Sequence, residues 1–154
     1  MSEHFKCMSA VFPVLLRVEN GEEQVLLHLR AGTGYMDGRW DFAGSGHVEE
    51  GETASQAVSR ECGEELGIVV HSENTRFLHV NHRLGDRTYY DLYFQVLAWE
   101  GEPRINEPDK CTDLRWFPMD QLPQRMISQR RHALELWRSG TVYSEIIESE
   151  EEIP

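Results

Sequence analysis

Apolar and polar residues alternate along parts of the chain with the period of two that is typical of β-strands. In residues 24–31 one predicted strand face is apolar, and the other ends in His28 and Arg30, two groups suited to meeting an anion. A turn signal at Asn20-Gly21 connects this segment to the apolar residues 11–19. The pattern therefore predicts an antiparallel hairpin near the start of the chain.

The same pattern predicts more strands later in the chain. A second hairpin is expected around Gly85-Asp86, from residues 76–84 and 88–99. Short strands are predicted at residues 40–42, 68–70 and 114–117.

A helical period replaces the alternation after Thr53. Thr53 and Gln56 have the spacing of a capping box, and Gly67 suits the position that follows a last helical turn. A later helix is predicted for residues 129–138, with Ala133, Leu134 and Trp137 inward. Strands on either side of a central helix, with a second helix near the end, predict an α/β fold with a mixed sheet covered by helices.

The central helix carries carboxylates on its apolar side. That side is defined by Ala54, Ala57, Val58, Cys62 and Leu66. Glu61 and Glu65 fall within about 20° of Ala54 around the helix axis, and Glu64 lies at the edge of the apolar side. A solvated acidic face would leave Glu61 and Glu65 unpaired toward the core, which is costly. Their inward placement favours a bound cation instead.

The residue types around these carboxylates narrow the choice of cation. The cluster contains no His, and oxygen ligands alone favour Mg²⁺ or Mn²⁺ over zinc. A magnesium ion held by a few carboxylates keeps positions open for substrate phosphates and activates a water. Arg60 is expected to pair with Glu52 and to hold the preceding loop against the helix.

The composition limits the class of protein and its location. A length of 154 residues suits one domain, here assigned to residues 1–144, followed by an acidic C-terminal tail at 145–154. A net charge of -12 argues against binding of polymeric nucleic acid. Three scattered cysteines indicate a reducing compartment, and no apolar run is long enough to span a membrane. A cytoplasmic protein is expected.

Residues 46–68, GHVEEGETASQAVSRECGEELGI, resemble the Nudix box, the signature of the Nudix hydrolases. The fixed positions of that box are filled by Gly46, Glu52, Arg60, Glu61, Glu64, Glu65 and Gly67. Cys62 and Ile68 fill its two apolar positions. The resemblance implies a Nudix-type α/β/α sandwich with a mixed sheet. It also implies Mg²⁺-dependent hydrolysis, with Mn²⁺ as the alternative ion, of a pyrophosphate bond in a nucleoside diphosphate derivative or nucleoside triphosphate.

The resemblance also implies roles for individual residues. Those assigned to catalysis are Arg60, Glu61, Glu64 and Glu65, with Glu64 either a metal ligand or the base that takes a proton from water. Those assigned to the metal are Ser45 or Gly46 through a main-chain carbonyl, Glu61, Glu64, Glu65 and Glu107. Many members have Pro-Gly-Gly where this chain has Gly44-Ser45-Gly46. Asp109 and Asp113 are the alternatives to Glu107 as the acidic residue from a distant loop.

Substrate contacts are predicted at Arg30, Arg39 and Tyr89. Arg30 lies on the polar face of its strand near a glycine-rich loop, and Tyr89 is suited to stacking on a base. Trp40 and Tyr93 are expected to pack in the core. Further basic candidates for phosphate are His82, Arg83, Arg87 and Lys110.

Two other functions fit the same residues. One is a hydrolase or isomerase of a non-nucleotide pyrophosphate such as an isoprenoid diphosphate. The other is a catalytically silent nucleotide-binding module, which would tolerate the loss of carboxylates that this chain retains. The partner expected in the leading interpretation is a nucleotide-type small molecule, and the sheet edges are compatible with a homodimer.

Overall fold

A computed structural model describes residues 3–148. The strands are β1 (Met8–Glu19), β2 (Glu22–Arg30), β3 (Trp40–Phe42), β4 (Gly46–His47), β5 (Thr75–Leu84), β6 (Thr88–Val96), β7 (Cys111–Pro118) and β8 (Tyr143–Ile147). The helices are α1 (Ala54–Leu66) and α2 (Ser128–Arg138), and a short 3₁₀ helix spans Ser72–Asn74.

The strands form one mixed sheet with the order β3-β2-β1-β6-β5-β8, in which β4 pairs with β1 and β7 pairs with β2. The pairs β1–β6 and β5–β8 are parallel, and the remaining pairs are antiparallel. Helix α1 contributes to one hydrophobic core and α2 to a second core. The predicted α/β/α sandwich is therefore confirmed.

Both predicted hairpins are present. Asn20 and Gly21 have positive φ angles of 54° and 76°, the conformation that a tight turn between β1 and β2 requires. Gly85 and Asp86 lie in the turn between β5 and β6. The predicted core positions Trp40 and Tyr93 are buried.

Helix α1 begins and ends where its sequence signals predict. The Thr53 side chain accepts a hydrogen bond from the Gln56 backbone, and the Gln56 side chain accepts one from the Thr53 backbone. Gly67 follows the last turn with a φ of 66°. The predicted apolar side of α1 packs into the core, as does the predicted inner side of α2.

Two predictions are wrong, and both concern pairing between distant segments. Residues 68–70 alternate in burial as a strand does, but they form only the single bridge between Val69 and Glu100. The acidic tail does not begin at residue 145, because 145–147 belong to β8 and pair with β5. The strand is held by main-chain hydrogen bonds to β5, and the Glu145 side chain points to solvent. An acidic residue at this position is therefore compatible with a strand. Residues 149–154 of the predicted tail lie outside the described residues.

Neither helix of the described region is long and apolar enough to cross a membrane.

Candidate active site

A pocket of about 870 Å³ is lined by residues from Ala10 to Glu148, among them residues of β1, β2, α1 and α2. Six of the predicted site residues line it, namely Arg30, Ser45, Gly46, Glu61, Glu65 and Tyr89. The other four, Arg39, Arg60, Glu64 and Glu107, are outside its lining. The fold thus brings together the inward carboxylates of α1, the loop before it and two of the three predicted substrate contacts.

Arg60 organises the loop that precedes α1. Its guanidinium donates to both carboxylate oxygens of Glu52, at 2.8 and 3.1 Å, and to the main-chain oxygen of His47 at 2.9 Å. It also donates to Glu61 at 2.8 Å and to Glu64 at 3.2 Å. The predicted pairing with Glu52 is confirmed, and Arg60 holds this loop and the acidic face of α1 in one arrangement.

Glu65 carries the clearest sign of a cation-binding position. Its Oε2 atom is buried and has no hydrogen-bond partner among residues 3–148. Burial, followed by the nearby charges of Glu61 and Glu107, raises the pKa of Glu65 to about 8. Burial also raises the pKa of Glu61, although Arg60 opposes the change. Without a cation, the Glu65 carboxyl is therefore mostly protonated at neutral pH.

The Glu61 carboxylate packs directly against the main chain of Gly46. A Cβ atom at this position would clash with the carboxylate carbon and both oxygens of Glu61. Only glycine lets the main chain and the carboxylate approach this closely. The main chain of residue 46 is thereby held beside the acidic face of α1.

These residues fit a hard divalent cation. Among the described residues, no three His, Cys, Asp or Glu side chains are arranged to hold a metal ion by themselves. The available set is two carboxylates, Glu61 and Glu65, beside the main chain at Gly46, and it consists of oxygen ligands alone. Such a set suits an ion that keeps several water or substrate ligands, as Mg²⁺ does.

The remaining predicted metal residues lie at the margin of the site. The Glu64 side chain is 53% exposed and is paired with Arg60. Glu107 forms an ion pair with Lys110 at 3.3 Å and lies close enough to Glu65 to raise its pKa. Of the alternatives considered for the distant acidic residue, Asp109 lines the pocket.

Of the three predicted substrate contacts, Tyr89 and Arg30 line the pocket and Arg39 does not. Tyr89 lines the pocket, with the Arg83 guanidinium 4.1 Å from its ring centroid. Arg30 also lines it, but its guanidinium is bonded to Asp41, to Thr33 and to the Tyr35 main chain. Arg39 is not among the lining residues. It precedes β3 in a turn, where its backbone N–H donates to the Met36 carbonyl at 3.2 Å.

A buried network of charges at the pocket was missed by the sequence analysis. Arg130 of α2 donates to Asp41 of β3 at 3.1 Å. Arg83 of β5 donates to Asp91 of β6 at 2.8 and 3.1 Å, and to Glu148 at 2.9 Å. Two signals were available in the sequence. Asp41 stands between two apolar residues of a short strand, and Arg130 is three and four residues before Ala133 and Leu134 on the inner side of α2.

The α/β/α sandwich, with a loop and a carboxylate-bearing helix at the pocket, is the architecture of the Nudix class. The NUDIX domain family model matches residues 10–137, so the chain belongs to the Nudix hydrolase family. It is a Nudix pyrophosphohydrolase. Members of the family generally need a divalent metal ion.

Individual relatives agree with this assignment. The chain is 32% identical over 111 residues to the 8-oxo-dGTP diphosphatase of Escherichia coli, a match covering 71% of this chain and 83% of the relative. It is 32% identical over 120 residues to the oxidized purine nucleoside triphosphate hydrolase of Danio rerio, covering 75% and 70%. The crystal structure of a MutT NUDIX hydrolase from Burkholderia pseudomallei has a TM-score of 0.73 at 30% identity, covering 85% of this chain and 98% of that one.

Proposed function

We propose that this protein hydrolyses a pyrophosphate bond of a nucleoside triphosphate, with Mg²⁺ as the bound ion and Mn²⁺ as the alternative. The observation that carries the proposal is the buried Oε2 of Glu65, which has no hydrogen-bond partner among the described residues. It lies next to Glu61 and Gly46 in a pocket of nucleotide size. The relatives named above act on oxidised purine triphosphates according to their names, so purine triphosphates are the first substrates to test.

In this proposal Glu61, Glu65 and the main-chain carbonyl of Gly46 or Ser45 hold the metal ion. The ion, when bound, offsets negative charge on the phosphate oxygens and makes a water more acidic. Arg60 fixes the position of the loop relative to α1 through its hydrogen bonds to Glu52 and to the His47 main chain. It is a positioning residue.

Glu64 is proposed as the base that takes a proton from the attacking water. Its side chain is half exposed at the margin of the site, and its contact with Arg60 holds it near Glu61. Lys110 and Arg87 line the pocket and supply positive charge for substrate phosphates. Glu107 orients Lys110 through their ion pair.

The charged lining of the pocket disfavours an isoprenoid diphosphate. An alkyl chain entering it would have to cover Arg130, Asp41 and His28, all of them buried polar residues. It would leave Nε2 of His28 and Nη1 of Arg130, both unpartnered within residues 3–148, against hydrocarbon, which is unfavourable. A silent binding module is disfavoured because the carboxylates of the Nudix box are all present.

The test is a turnover assay with a panel of nucleoside triphosphates, nucleoside diphosphate sugars, dinucleoside polyphosphates and an isoprenoid diphosphate, with and without Mg²⁺. Phosphorus NMR identifies the bond that is cut. We expect Mg²⁺-dependent cleavage of at least one triphosphate. Folded protein that turns over no nucleotide would refute the proposal.

The role of Glu64 is tested by Glu64→Gln, with the exposed Glu135→Gln on α2 as the matched control. We expect kcat to fall roughly 100-fold or more in Glu64→Gln, the range for loss of a general base. Thermal unfolding should be unchanged in both variants. Wild-type kcat in Glu64→Gln would remove this residue from the mechanism.

We also infer a cytoplasmic location and a homodimer. All three cysteines are free thiols, which agrees with a reducing compartment. Strand β8 lies at one edge of the sheet and offers a surface for self-association. Sedimentation velocity measures the oligomeric state, and a single monomer species at micromolar concentration would contradict the dimer.

A further inference from the structure

The pocket has a buried floor that the proposed metal site does not use. We define the floor as five buried lining residues away from the α1 carboxylates: Phe12, His28, Asp41, Arg83 and Arg130. The guanidinium carbon of Arg130 lies 3.9 Å from the centroid of the Phe12 ring. Asp41 also lies close enough to Glu65 to help raise its pKa, so the floor adjoins the carboxylates of α1.

Besides Oε2 of Glu65, three polar atoms of pocket-lining residues are buried without a hydrogen-bond partner in the described part of the chain. They are Nε2 of His28, the hydroxyl of Tyr35 and Nη1 of Arg130. Arg130 is 1% exposed, and its Nη1 is 3.8 Å from Asp91, beyond hydrogen-bond distance. The Tyr35 hydroxyl lies near enough to affect the pKa of both Arg83 and Arg130. Buried polar atoms are normally satisfied, so this group indicates a polar ligand.

The positive and negative charges in and around the floor are equal in number. The cations are Arg30, Arg83 and Arg130, and the carboxylates bonded to them are Asp41, Asp91 and Glu148. Burial lowers the pKa of His28 to about 4, so its imidazole is uncharged at neutral pH. A further phosphate would bring an uncompensated negative charge into this buried region. The floor therefore suits an uncharged group that forms hydrogen bonds.

The chemistry of the unpartnered atoms specifies that group further. A guanidinium has only donors, so Nη1 of Arg130 needs an acceptor. A neutral imidazole nitrogen and a phenol hydroxyl can each donate or accept. A heterocyclic base with a ring carbonyl satisfies Arg130, whereas an exocyclic amine at the same position would place two donors against each other.

We propose that Arg130, His28 and Tyr35 bind the base of the substrate and select a base that presents a carbonyl oxygen over one that presents an amine. This inference rests on the proposed function only in taking the substrate to be a nucleotide. It predicts that guanine and hypoxanthine nucleotides bind better than adenine nucleotides.

Calorimetric titration with nucleoside monophosphates tests the selectivity without requiring turnover. The probes are GMP, IMP and AMP, with Mg²⁺ present throughout. IMP is decisive because it differs from AMP at the purine 6-position, where the carbonyl replaces the amine. We expect GMP and IMP to bind at least roughly tenfold more tightly than AMP, since AMP would leave a buried charged donor unpaired.

Equal affinities, or tighter binding of AMP, would overturn the inference. Inorganic phosphate that displaces GMP with an affinity equal to that of GMP itself would also overturn it, because the base would then contribute nothing. The inference and the proposed function fail separately. Selective binding of IMP without turnover of any triphosphate would support the floor as a base site while refuting the proposed hydrolysis of a nucleoside triphosphate.

Variants of Tyr35 and of the floor residues test which side chains cause the selectivity. Tyr35→Phe removes one hydroxyl and keeps the ring, and the exposed Tyr90→Phe is the matched control. We expect Tyr35→Phe to raise KM for the guanine nucleotide several-fold with little change in kcat, and Tyr90→Phe to match the wild type. A purely structural role would instead lower the thermal stability and leave the KM ratio of guanine to adenine substrates unchanged.

Arg130→Lys tests the donor directly. We expect the ratio of GMP to AMP affinity to narrow, because a lysine cannot reproduce the fork of donors that also binds Asp41. His28→Asn serves the same purpose if Arg130→Lys does not fold. Wild-type selectivity in both Tyr35→Phe and a folded floor variant, Arg130→Lys or His28→Asn, would overturn the proposal.

Discussion

Glu65 illustrates how a single buried carboxyl depends on the groups beside it. It follows Glu61 by one helical turn, and both side chains point toward the pocket. Burial and the neighbouring carboxylates raise its pKa to about 8, so a proton takes the place of a cation in the metal-free protein. A bound cation would reverse the balance, since it favours the charged carboxylate.

We predict that Mg²⁺ binding to the metal-free protein releases a proton near neutral pH. The affinity should rise with pH and level off above about 8, because the ligand must lose its proton first. Titration calorimetry in two buffers of different ionisation enthalpy measures the proton count. Glu65→Gln should abolish the release and weaken binding, and Glu135→Gln should do neither. An unchanged heat in the two buffers for the wild type would contradict the prediction.

His28 gives a prediction of stability against pH. Its pKa in the folded protein is about 4, below the ordinary 6.5, because burial disfavours the imidazolium. The unfolded chain therefore binds the proton more readily, and stability falls as the pH drops from about 6.5 toward 4. The difference corresponds to about 3 kcal/mol.

Urea unfolding at pH 7 and pH 4.5 measures this loss. His28→Asn should lose less stability over the interval than the wild type, and the exposed His132→Asn should behave as the wild type does. Identical losses in the wild type and His28→Asn would show that His28 is not protonated on unfolding.

At the scale of elements, α1 and the loop before it work as one unit. The capping box at Thr53 sets where the helix begins, and Arg60 fastens the loop to the helix through Glu52 and His47. Gly46 pairs with β1 in β4, which brings its main chain against Glu61. Local signals thus build the acidic side of the pocket.

Alanine substitutions at Gly46, before α1, and at Gly63, within α1, are predicted to change stability in opposite directions. In Gly46→Ala the new methyl group would displace the Glu61 carboxylate, so we expect weaker Mg²⁺ binding, lost activity and a destabilisation of about 1–3 kcal/mol. In Gly63→Ala the nearest contact is 3.7 Å, to the Ile68 carbonyl oxygen. Its helical position should then gain up to about 1 kcal/mol.

Calorimetric Mg²⁺ titration and urea unfolding of the two variants make this comparison. Gly46→Ala with wild-type Mg²⁺ affinity would show that the Glu61 carboxylate does not need its position against the main chain.

At the scale of the whole molecule, buried ion pairs join the C-terminal part of the chain to its middle. Arg83 bonds to Asp91 on the neighbouring strand and to Glu148, which follows β8. Gln129 at the start of α2 also donates to Glu148 at 3.3 Å. The C-terminal strand and α2 are thereby connected to the pocket.

We predict that Glu148→Gln destabilises the fold by about 1–2 kcal/mol, because it removes one charge from a buried pair and leaves Arg83 partly unpaired. Glu145→Gln, on the exposed face of β8, should change stability by less than about 0.5 kcal/mol. Urea unfolding of both variants measures the difference. Equal stabilities would show that the Glu148 contact contributes nothing.

The sequence alone was sufficient for features that depend on local geometry. The α/β class, both hairpins, the limits of α1, the inward Glu61 and Glu65 and the Arg60–Glu52 pair all follow from periodicity or from spacings within one helix and its adjacent loop. Backbone geometry places such residues close together in any compact arrangement of the chain.

The pocket floor and the sheet edge were decided by tertiary structure. Arg130 meets Asp41 across 89 positions, and Arg83 meets Glu148 across 65. Residues 68–70 lack a full strand partner, whereas 145–147 find one in β5. Strand pairing and buried ion pairs depend on which distant segments pack together, and periodicity along one segment carries no information about its partner. The carboxylates of the reaction could therefore be identified in the sequence, while the groups facing the rest of the substrate appeared only in the folded molecule.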